Sequence, residues 1–395
     1  MKFERIITIV LDSVGIGAAP DAARFGDQEA HTLGHIARST GGLILPTLER
    51  FGLGCIATLE GVATEQEPLA SYGKMQEISR GKDTTSGHWE LMGCPVQKEF
   101  PVYPNGFPAE MIVAIEALIG RKILGNKAAS GTEIIAELGE EHMKTGFPII
   151  YTSADSVLQI AAHESVIPLE ELYEFCHKIR TEICVGKNEV GRIIARPFIG
   201  SPGQFVRTPN RHDYSVEPVG KTVLDLLQEQ NIPVIGVGKI GDIFAHRGIS
   251  QSYPTKSNSH GMEELGRLVR ETAGPCYIMA NLVDFDSQYG HRRDPAGYKA
   301  ALAQFDQELA VFLPLLKTDD LLLITADHGC DPTAPGSDHT REYVPILAYS
   351  PTLTGLSLGI RTSFADVGQT IAENFSVRTS VPGVSFLSLL GSKKS

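Results

Sequence analysis

The sequence predicts an α/β fold, a mostly parallel sheet covered by helices on both faces. Three observations carry the prediction. After residue 220, helical periodicity over 221–230, 262–272 and 298–313 alternates with short apolar runs over 233–237, 277–283 and 321–325, and 344–349 reads as a further strand. The chain also opens on an Ile- and Val-rich run, 3–11, with the look of a buried strand. Its 395 residues suffice for two domains, or for one large domain carrying an insertion.

Composition narrows the function classes. Hydrophobic residues make up 42% and mean hydropathy is −0.03, as in soluble globular proteins. A formal net charge of −12 argues against general binding of nucleic acid or of anionic membranes. Any phosphate must therefore be met by local Arg and Lys or by metal. Six cysteines, Cys55, Cys94, Cys176, Cys184, Cys276 and Cys330, form no CxxC pair. That argues against a zinc ribbon or a disulfide scaffold and for a reduced compartment. Lys2 and Arg5 before the apolar 6–11 imitate a signal peptide, but Asp12 cuts the run short, and no other run approaches membrane-spanning length. The expectation is a cytoplasmic protein, with no protein partner implied.

In chain order, the opening strand ends in Asp12, followed by the glycine-bearing turn Ser13-Val14-Gly15-Ile16-Gly17. Gly15 to Pro20 falls short of a dinucleotide fingerprint, because Pro20 stands where Gly or Ala is required. Residues 40–78 are turn-rich and give no clear element. Residues 101–108, with three prolines and a glycine, read as a linker or crossover, and Pro108 opens a helix that Gly120 closes. A strand over 148–152 leads to Ser153-Ala154-Asp155. A helix over 169–185 puts Leu172, Cys176, Ile179 and Ile183 on one face. Residues 191–211 concentrate Arg192, Arg196, Arg207 and Arg211, of which Arg196 and Arg211 read as solvated surface charges. Residues 202–218 are again rich in Pro and Gly. Ser363 with Asp366 resembles a capping box opening a helix to Asn374.

The chemistry gathers at strand ends. The strand over 321–325 runs into Asp327-His328-Gly329, and that over 277–283 into Asp284-Phe285-Asp286 with His291 shortly after. The first strand supplies Asp12, and a loop brings His339. Parallel strands of one sheet point their carboxyl ends the same way, where ligands of open α/β sheets collect. Any one of these clusters is more often a solvated polar turn. Their joint occurrence points to metal, and six ligands suit two ions about 4 Å apart, the arrangement used for phosphoryl transfer. Asp284 and Asp286 share a strand face, so periodicity cannot choose between them; Asp286, nearer the strand end, is preferred.

Gly81-Lys82-Asp83-Thr84-Thr85-Ser86-Gly87-His88-Trp89-Glu90 places hydroxyls just before a helix, where free backbone N–H groups favour an anion. A metal nearby would make one of them nucleophilic. The plainer reading is that Thr84, Thr85 or Ser86 caps the helix.

Taken together, Asp12 to Gly17, Gly81-Lys82-Asp83-Thr84 with Gly87-His88-Trp89-Glu90, Asp284-Phe285-Asp286 with Tyr289-Gly290-His291-Arg292-Arg293, and Thr325-Ala326-Asp327-His328-Gly329 resemble the phosphopentomutase family of the alkaline phosphatase superfamily. The likeness runs from residue 7 to beyond 340. The Asp-His-Gly motif is superfamily-wide, whereas the Gly-Lys-Asp-Thr…Gly-His-Trp-Glu and Gly-His-Arg-Arg runs are much more specific to the mutases. The resemblance implies an alkaline-phosphatase-like core over 1–98 and 219–395, with an inserted α+β cap domain over 99–218 whose ends fall in the two Pro- and Gly-rich stretches. It implies two manganese ions held by Asp12, Asp286, His291, Asp327, His328 and His339. It implies phosphorylation of Thr84, although Thr85 stands where the family often has Met. Ser153, Asp155, Arg192, Arg207 and Lys239 are implied as contacts of a small sugar phosphate. The implied activity is an isomerase of nucleoside catabolism, interconverting ribose 1-phosphate and ribose 5-phosphate and the 2-deoxyribose pair, primed by a sugar bisphosphate. A metal-dependent phosphomonoesterase or a phosphoglycerate mutase of the same superfamily would use the same metal set. Gly236-Val237-Gly238-Lys239-Ile240-Gly241 is a formal GxGxxG of a nicotinamide oxidoreductase, with too little chain after it for the required helix.

Overall fold

The computed structural model describes residues 2–153 and 156–392. The chain folds as two compact units, Met1–Lys98 with Pro218–Ser395, and Glu99–Glu217.

The first unit is built on an eight-stranded sheet. Its order is Gln251–Tyr253, Val234–Val237, Cys276–Leu282, Arg5–Leu11, Asp320–Thr325, Val344–Tyr349, Ser71–Met75, Ser357–Arg361. The three central strands, Cys276–Leu282, Arg5–Leu11 and Asp320–Thr325, are parallel, and every residue in them is buried. Each Ile or Leu so placed contributes about 1.5–3 kcal/mol, and burial on both faces is why these strands read as near-continuous apolar runs. In register, Val10 lies opposite both Asn281 and Thr325. The three strands therefore end at one level, and the residues just beyond them emerge together at one edge of the sheet.

Val344–Tyr349 runs antiparallel to both Asp320–Thr325 and Ser71–Met75. No helix separates Thr325 from Val344, and an antiparallel neighbour needs no crossover helix. The stretch 40–78, featureless as sequence, contains the short helices Pro46–Arg50 and Leu53–Ile56 and the strand Ser71–Met75. That strand, SYGKM, is short and polar, so it carries too little apolar pattern to be seen. The capping box expected at Ser363 and Asp366 does not form. Ser363 Oγ accepts from Ala365 N at 3.0 Å at the start of helix Ala365–Asn374, but the Asp366 carboxylate does not turn back to it and accepts instead from Arg361 Nε at 2.7 Å and from Val384 N at 2.6 Å. The ion pair with half-buried Arg361 takes the place of the local bond.

In the second unit the strands Leu124–Ala128, Ile149–Thr152, Val157–His163, Arg192–Ile199 and Val206–Arg207 lie side by side in that order, and His212–Ser215 also pairs with Arg192–Ile199. Side chains alternate across this sheet. Ile150 joins a core with Met111 and Ile115 of helix Ala109–Ile119 and Leu172 and Cys176 of helix Leu169–Lys178. Tyr151, on the other face, packs with Ile134 and Ile135 of helix Gly131–Thr145. The helix expected to run to residue 185 changes at Ile179 into a π-helical turn, Ile179–Ile183. No helix among the described residues is long and apolar enough to cross a membrane.

Candidate metal centre

The polar groups converge at the carboxyl ends of the three central strands. Asp12 follows Arg5–Leu11 directly, and Asp327 stands two residues beyond Asp320–Thr325; both are fully buried. Ser13, next after Asp12, adopts φ +73°, a conformation that a non-glycine residue rarely takes. This turn lets Ser13 N donate to Asp327 Oδ1 at 3.1 Å, while the Ser13 carbonyl accepts from Cys330 N at 3.1 Å. His328 Nε2 then lies 3.3 Å from Asp12 Oδ1 and 3.4 Å from Asp327 Oδ2.

The third strand, Cys276–Leu282, stops before its acids and gives way to a π-helical turn, Phe285–Gly290. Helical geometry therefore separates the two acids that strand alternation would place together. Asp284 accepts from Asn258 N at 2.7 Å, at the start of helix Asn258–Glu271. Asp286 turns inward, its Oδ2 3.2 Å from His291 Nε2 and its Oδ1 3.5 Å from His339 Nε2. His339 Nε2 is 3.1 Å from His291 Nε2, and the His328 and His339 rings lie 4.0 Å apart at their centroids. Candidate ligand atoms thus gather in three overlapping groups: Asp12, Asp327 and His328; Asp286, His328 and His339; and Asp286, His291 and Cys330. Cys330 is an addition to the expected set, its thiol pushed up by burial.

The chemistry of this cluster calls for a cation. Asp12 Oδ1 and Asp286 Oδ1 are buried without a hydrogen-bond donor. His291 Nδ1 donates to the Ser337 carbonyl at 2.7 Å and His328 Nδ1 to the Gly329 carbonyl at 3.1 Å. In its neutral form each ring therefore turns an Nε2 lone pair inward. Lone pairs and carboxylate oxygens facing one another are unfavourable unless a positive charge stands among them, and oxygen with imidazole nitrogen suits a divalent ion. Burial raises the Asp12 carboxyl, reinforced by Asp327. Burial also opposes ionisation of Asp327 and Asp286. His328 and His88 beside the first, and His339 and His291 beside the second, outweigh it and hold both below the usual carboxylate range. Burial disfavours the His328 imidazolium, yet Asp327 and Asp12 raise it well above its ordinary value. Proton and metal compete for one cluster.

The hydroxyl loop enters the same place. Helix Thr84–Leu91 is capped by Asp83, whose carboxylate accepts from Ser86 N at 3.1 Å and Ser86 Oγ at 2.7 Å. The capping duty is thus not Thr84's, and Thr84 Oγ1 stands 3.2 Å from His328 Nε2. Thr85 is buried. A Cβ at Gly87 would meet the Asp327 carbonyl oxygen at 2.1 Å, so only glycine lets the helix approach this closely. Arg341, buried two residues after His339, donates to Gly81 O at 2.8 Å, Glu77 Oε2 at 2.6 Å and Asp21 Oδ1 at 3.0 Å, which fastens the loop ahead of Thr84. Sequence reasoning missed Arg341. It also missed Asn281, whose signal was one amide inside the apolar strand CYIMANL.

The other expected contacts lie on both units. Lys239 precedes the helix Ile240–Ile243, which at four residues is too short to receive a dinucleotide and removes the GxGxxG reading. Ser153 follows strand Ile149–Thr152, and Asp155 lies outside the described residues. Arg192 opens strand Arg192–Ile199, with Nη1 3.9 Å from Asp213 Oδ2, and Arg207 is exposed at the end of Val206–Arg207. Arg211 is exposed and donates to Asp213 Oδ1 at 2.6 Å. Arg196 departs from the expectation of a solvated charge: it is partly buried, and its Nε donates to Gln159 Oε1 at 3.1 Å.

A sheet that delivers acids and histidines to one edge beside a hydroxyl loop defines a class. The chain belongs to the metalloenzyme superfamily, whose family model matches residues 4–379. Membership and ligand set together make a divalent metal part of its chemistry. In particular, the chain is similar to the phosphopentomutase of Caldanaerobacter subterraneus subsp. tengcongensis, with 58% identity over 385 residues, 97% of each chain. Among solved structures, the PH0037 protein of Pyrococcus horikoshii shares the fold, with a TM-score of 0.52 at 12% identity, covering 97% of this chain and all of that one.

Proposed function

We propose that the chain interconverts ribose 1-phosphate and ribose 5-phosphate, and the 2-deoxyribose pair, as a phosphopentomutase acting through phosphorylated Thr84 and a sugar bisphosphate. The observation that carries this reading is the Thr84 hydroxyl, 3.2 Å from His328 Nε2 while Asp83 takes the capping role. The 58% identity to a phosphopentomutase supports the substrate class.

Asp12, Asp327 and His328 would hold one manganese ion, and Asp286, His291 and His339 the other. When bound, such a pair polarises phosphoryl oxygens and offsets the charge that develops on them. Phosphorylated Thr84 gives its phosphoryl group to the free hydroxyl of the sugar phosphate, forming the bisphosphate. The bisphosphate turns end for end, and Thr84 Oγ1 takes back the other phosphoryl group. A catalytic amount of sugar bisphosphate primes the cycle. Contacts to the sugar phosphate are proposed for Ser153, Asp155, Arg192, Arg207 and Lys239, an Arg fork being suited to bidentate phosphate binding. Transfer without hydrolysis requires that water be kept from phosphothreonine, a duty proposed for the inserted unit as a cap. A cytoplasmic location belongs to the same reading.

The test is conversion of ribose 1-phosphate to ribose 5-phosphate with added manganese, with inorganic phosphate followed in the same tube. Isomerisation with little phosphate release is expected. Steady phosphate release without isomerisation would move the chain to the phosphomonoesterases, and isomerisation of phosphoglycerate alone would make it a phosphoglycerate mutase.

A further inference from the structure

Two buried polar residues beneath the carboxylates, His88 and Asn281, have no part in the phosphoryl transfer proposed for Thr84. Asn281 sits in the buried strand Cys276–Leu282 opposite Val10, and His88 lies one helical turn after Thr84 with its side chain wholly buried. His88 Nδ1 is 2.8 Å from the Thr84 carbonyl oxygen and 3.1 Å from Asp327 Oδ2. Both neighbours are acceptors, so Nδ1 carries the proton and Nε2 presents a lone pair. The Asn281 amide nitrogen stands 3.4 Å from that Nε2 and 2.8 Å from Asp12 Oδ2. Chemistry sets which way round the amide lies: reversed, its oxygen would face a carboxylate oxygen and a lone pair. One NH2 group thus spans Asp12 and His88, and the single N–H of His88 continues to the backbone of Thr84.

We infer that Asn281 and His88 are positioning residues that register the first turn of the nucleophile helix against the Asp12 and Asp327 carboxylates. Asn281 engages one oxygen of Asp12 and leaves the other, Oδ1, without a donor and 3.3 Å from His328 Nε2. His88 holds the Thr84 carbonyl beside Asp327. The inference rests on the proposed roles of Asp12 and Asp327 as ligands and of Thr84 as nucleophile. Residues placed behind metal ligands typically change metal affinity about 10- to 100-fold when removed.

Asn281→Leu deletes both amide donors at similar volume. His88→Asn keeps a donor near the Nδ1 position and deletes the acceptor at Nε2. Manganese affinity of the full chain, of each variant and of the double variant is measured by equilibrium dialysis, alongside kcat and KM for ribose 1-phosphate. Asn281→Leu is expected to weaken manganese binding on the order of tenfold or more, and to lower kcat with KM changed by less than about threefold. The double variant is expected to bind no more weakly than Asn281→Leu alone, because either change breaks the one link. Unchanged manganese affinity in Asn281→Leu, or two effects that multiply in the double variant, would overturn the inference. Should Asn281→Leu not fold, as judged by its thermal melt, Asn281→Ala carries the same expectation. A wild-type chain that binds manganese without isomerising ribose 1-phosphate would defeat the mutase reading alone, since the dialysis comparison stands apart from turnover.

Discussion

At the scale of single residues, the helix cap separates two hydroxyls that are chemically alike. Asp83 satisfies the Ser86 N–H, which releases Thr84 from that duty and leaves its Oγ1 beside His328. Thr85, one residue on, is rotated by about 100° around the helix and is buried. Thr84→Ala is therefore expected to lower phosphoryl transfer on the order of a thousandfold or more while leaving manganese binding intact. Thr85→Ala is expected to leave transfer in place. Labelled phosphate from a ribose bisphosphate should appear on the wild-type chain and on Thr85→Ala, and not on Thr84→Ala. Substantial mutase activity in Thr84→Ala would remove the covalent role. The loop was legible as a hydroxyl cluster ahead of a helix, but the sequence left the cap among Thr84, Thr85 and Ser86. The residue overlooked was Asp83, whose short carboxylate is itself a preferred cap.

At the scale of elements, His142 ties a helix to a strand through one protonation state. Near the end of helix Gly131–Thr145 its Nδ1 donates to Phe147 O at 2.7 Å, and its Nε2 accepts from His163 N at 2.8 Å, at the end of Val157–His163. A proton added at Nε2 would face another N–H. Burial lowers the ring below its ordinary value. The folded chain then binds fewer protons than the unfolded one below about pH 6.5, so stability is full above that pH and falls as the pH drops toward the folded value. The slope contributed by this ring reaches about 1.4 kcal/mol per pH unit. Denaturant midpoints measured at pH 7 and pH 5.5 should fall further for the wild type than for His142→Gln. Parallel losses in the two proteins would show that His142 is not responsible. None of the strands around this ring except Ile149–Thr152 was foreseen, because the unit Glu99–Glu217 lacks the regular alternation of the first unit and one of its strands, Leu124–Ala128, has no fully buried residue.

At the scale of the molecule, the buried carboxylates place a charge requirement at the heart of the first unit. Asp12 Oδ1 and Asp286 Oδ1 have no donor, so an ion that binds the folded chain and not the unfolded one raises its stability. At a free manganese concentration about 100 times the dissociation constant, the gain for one site is about 2.7 kcal/mol. Thermal melts should rise with manganese and fall with chelator, and the manganese response should shrink in Asp327→Asn. A melting temperature indifferent to both additions would argue against a metal at this cluster.

By itself the sequence determined the centre of the sheet and the groups at its edge. Parallel strands buried on both faces read as near-continuous apolar runs, so Arg5–Leu11, Cys276–Leu282 and Asp320–Thr325 announce themselves, and the acids and histidines after them stand out against that background. Tertiary structure decided which of those groups meet. Asp286 turns inward and Asp284 outward because a π-helical turn replaces the strand there. Asn281 reaches Asp12 because two strands far apart in sequence lie in one register. Arg341 fastens Gly81 across 260 residues of chain. The reason is range. Burial periodicity is written locally, residue by residue, whereas the pairing of buried polar groups depends on segments that only the folded chain brings together.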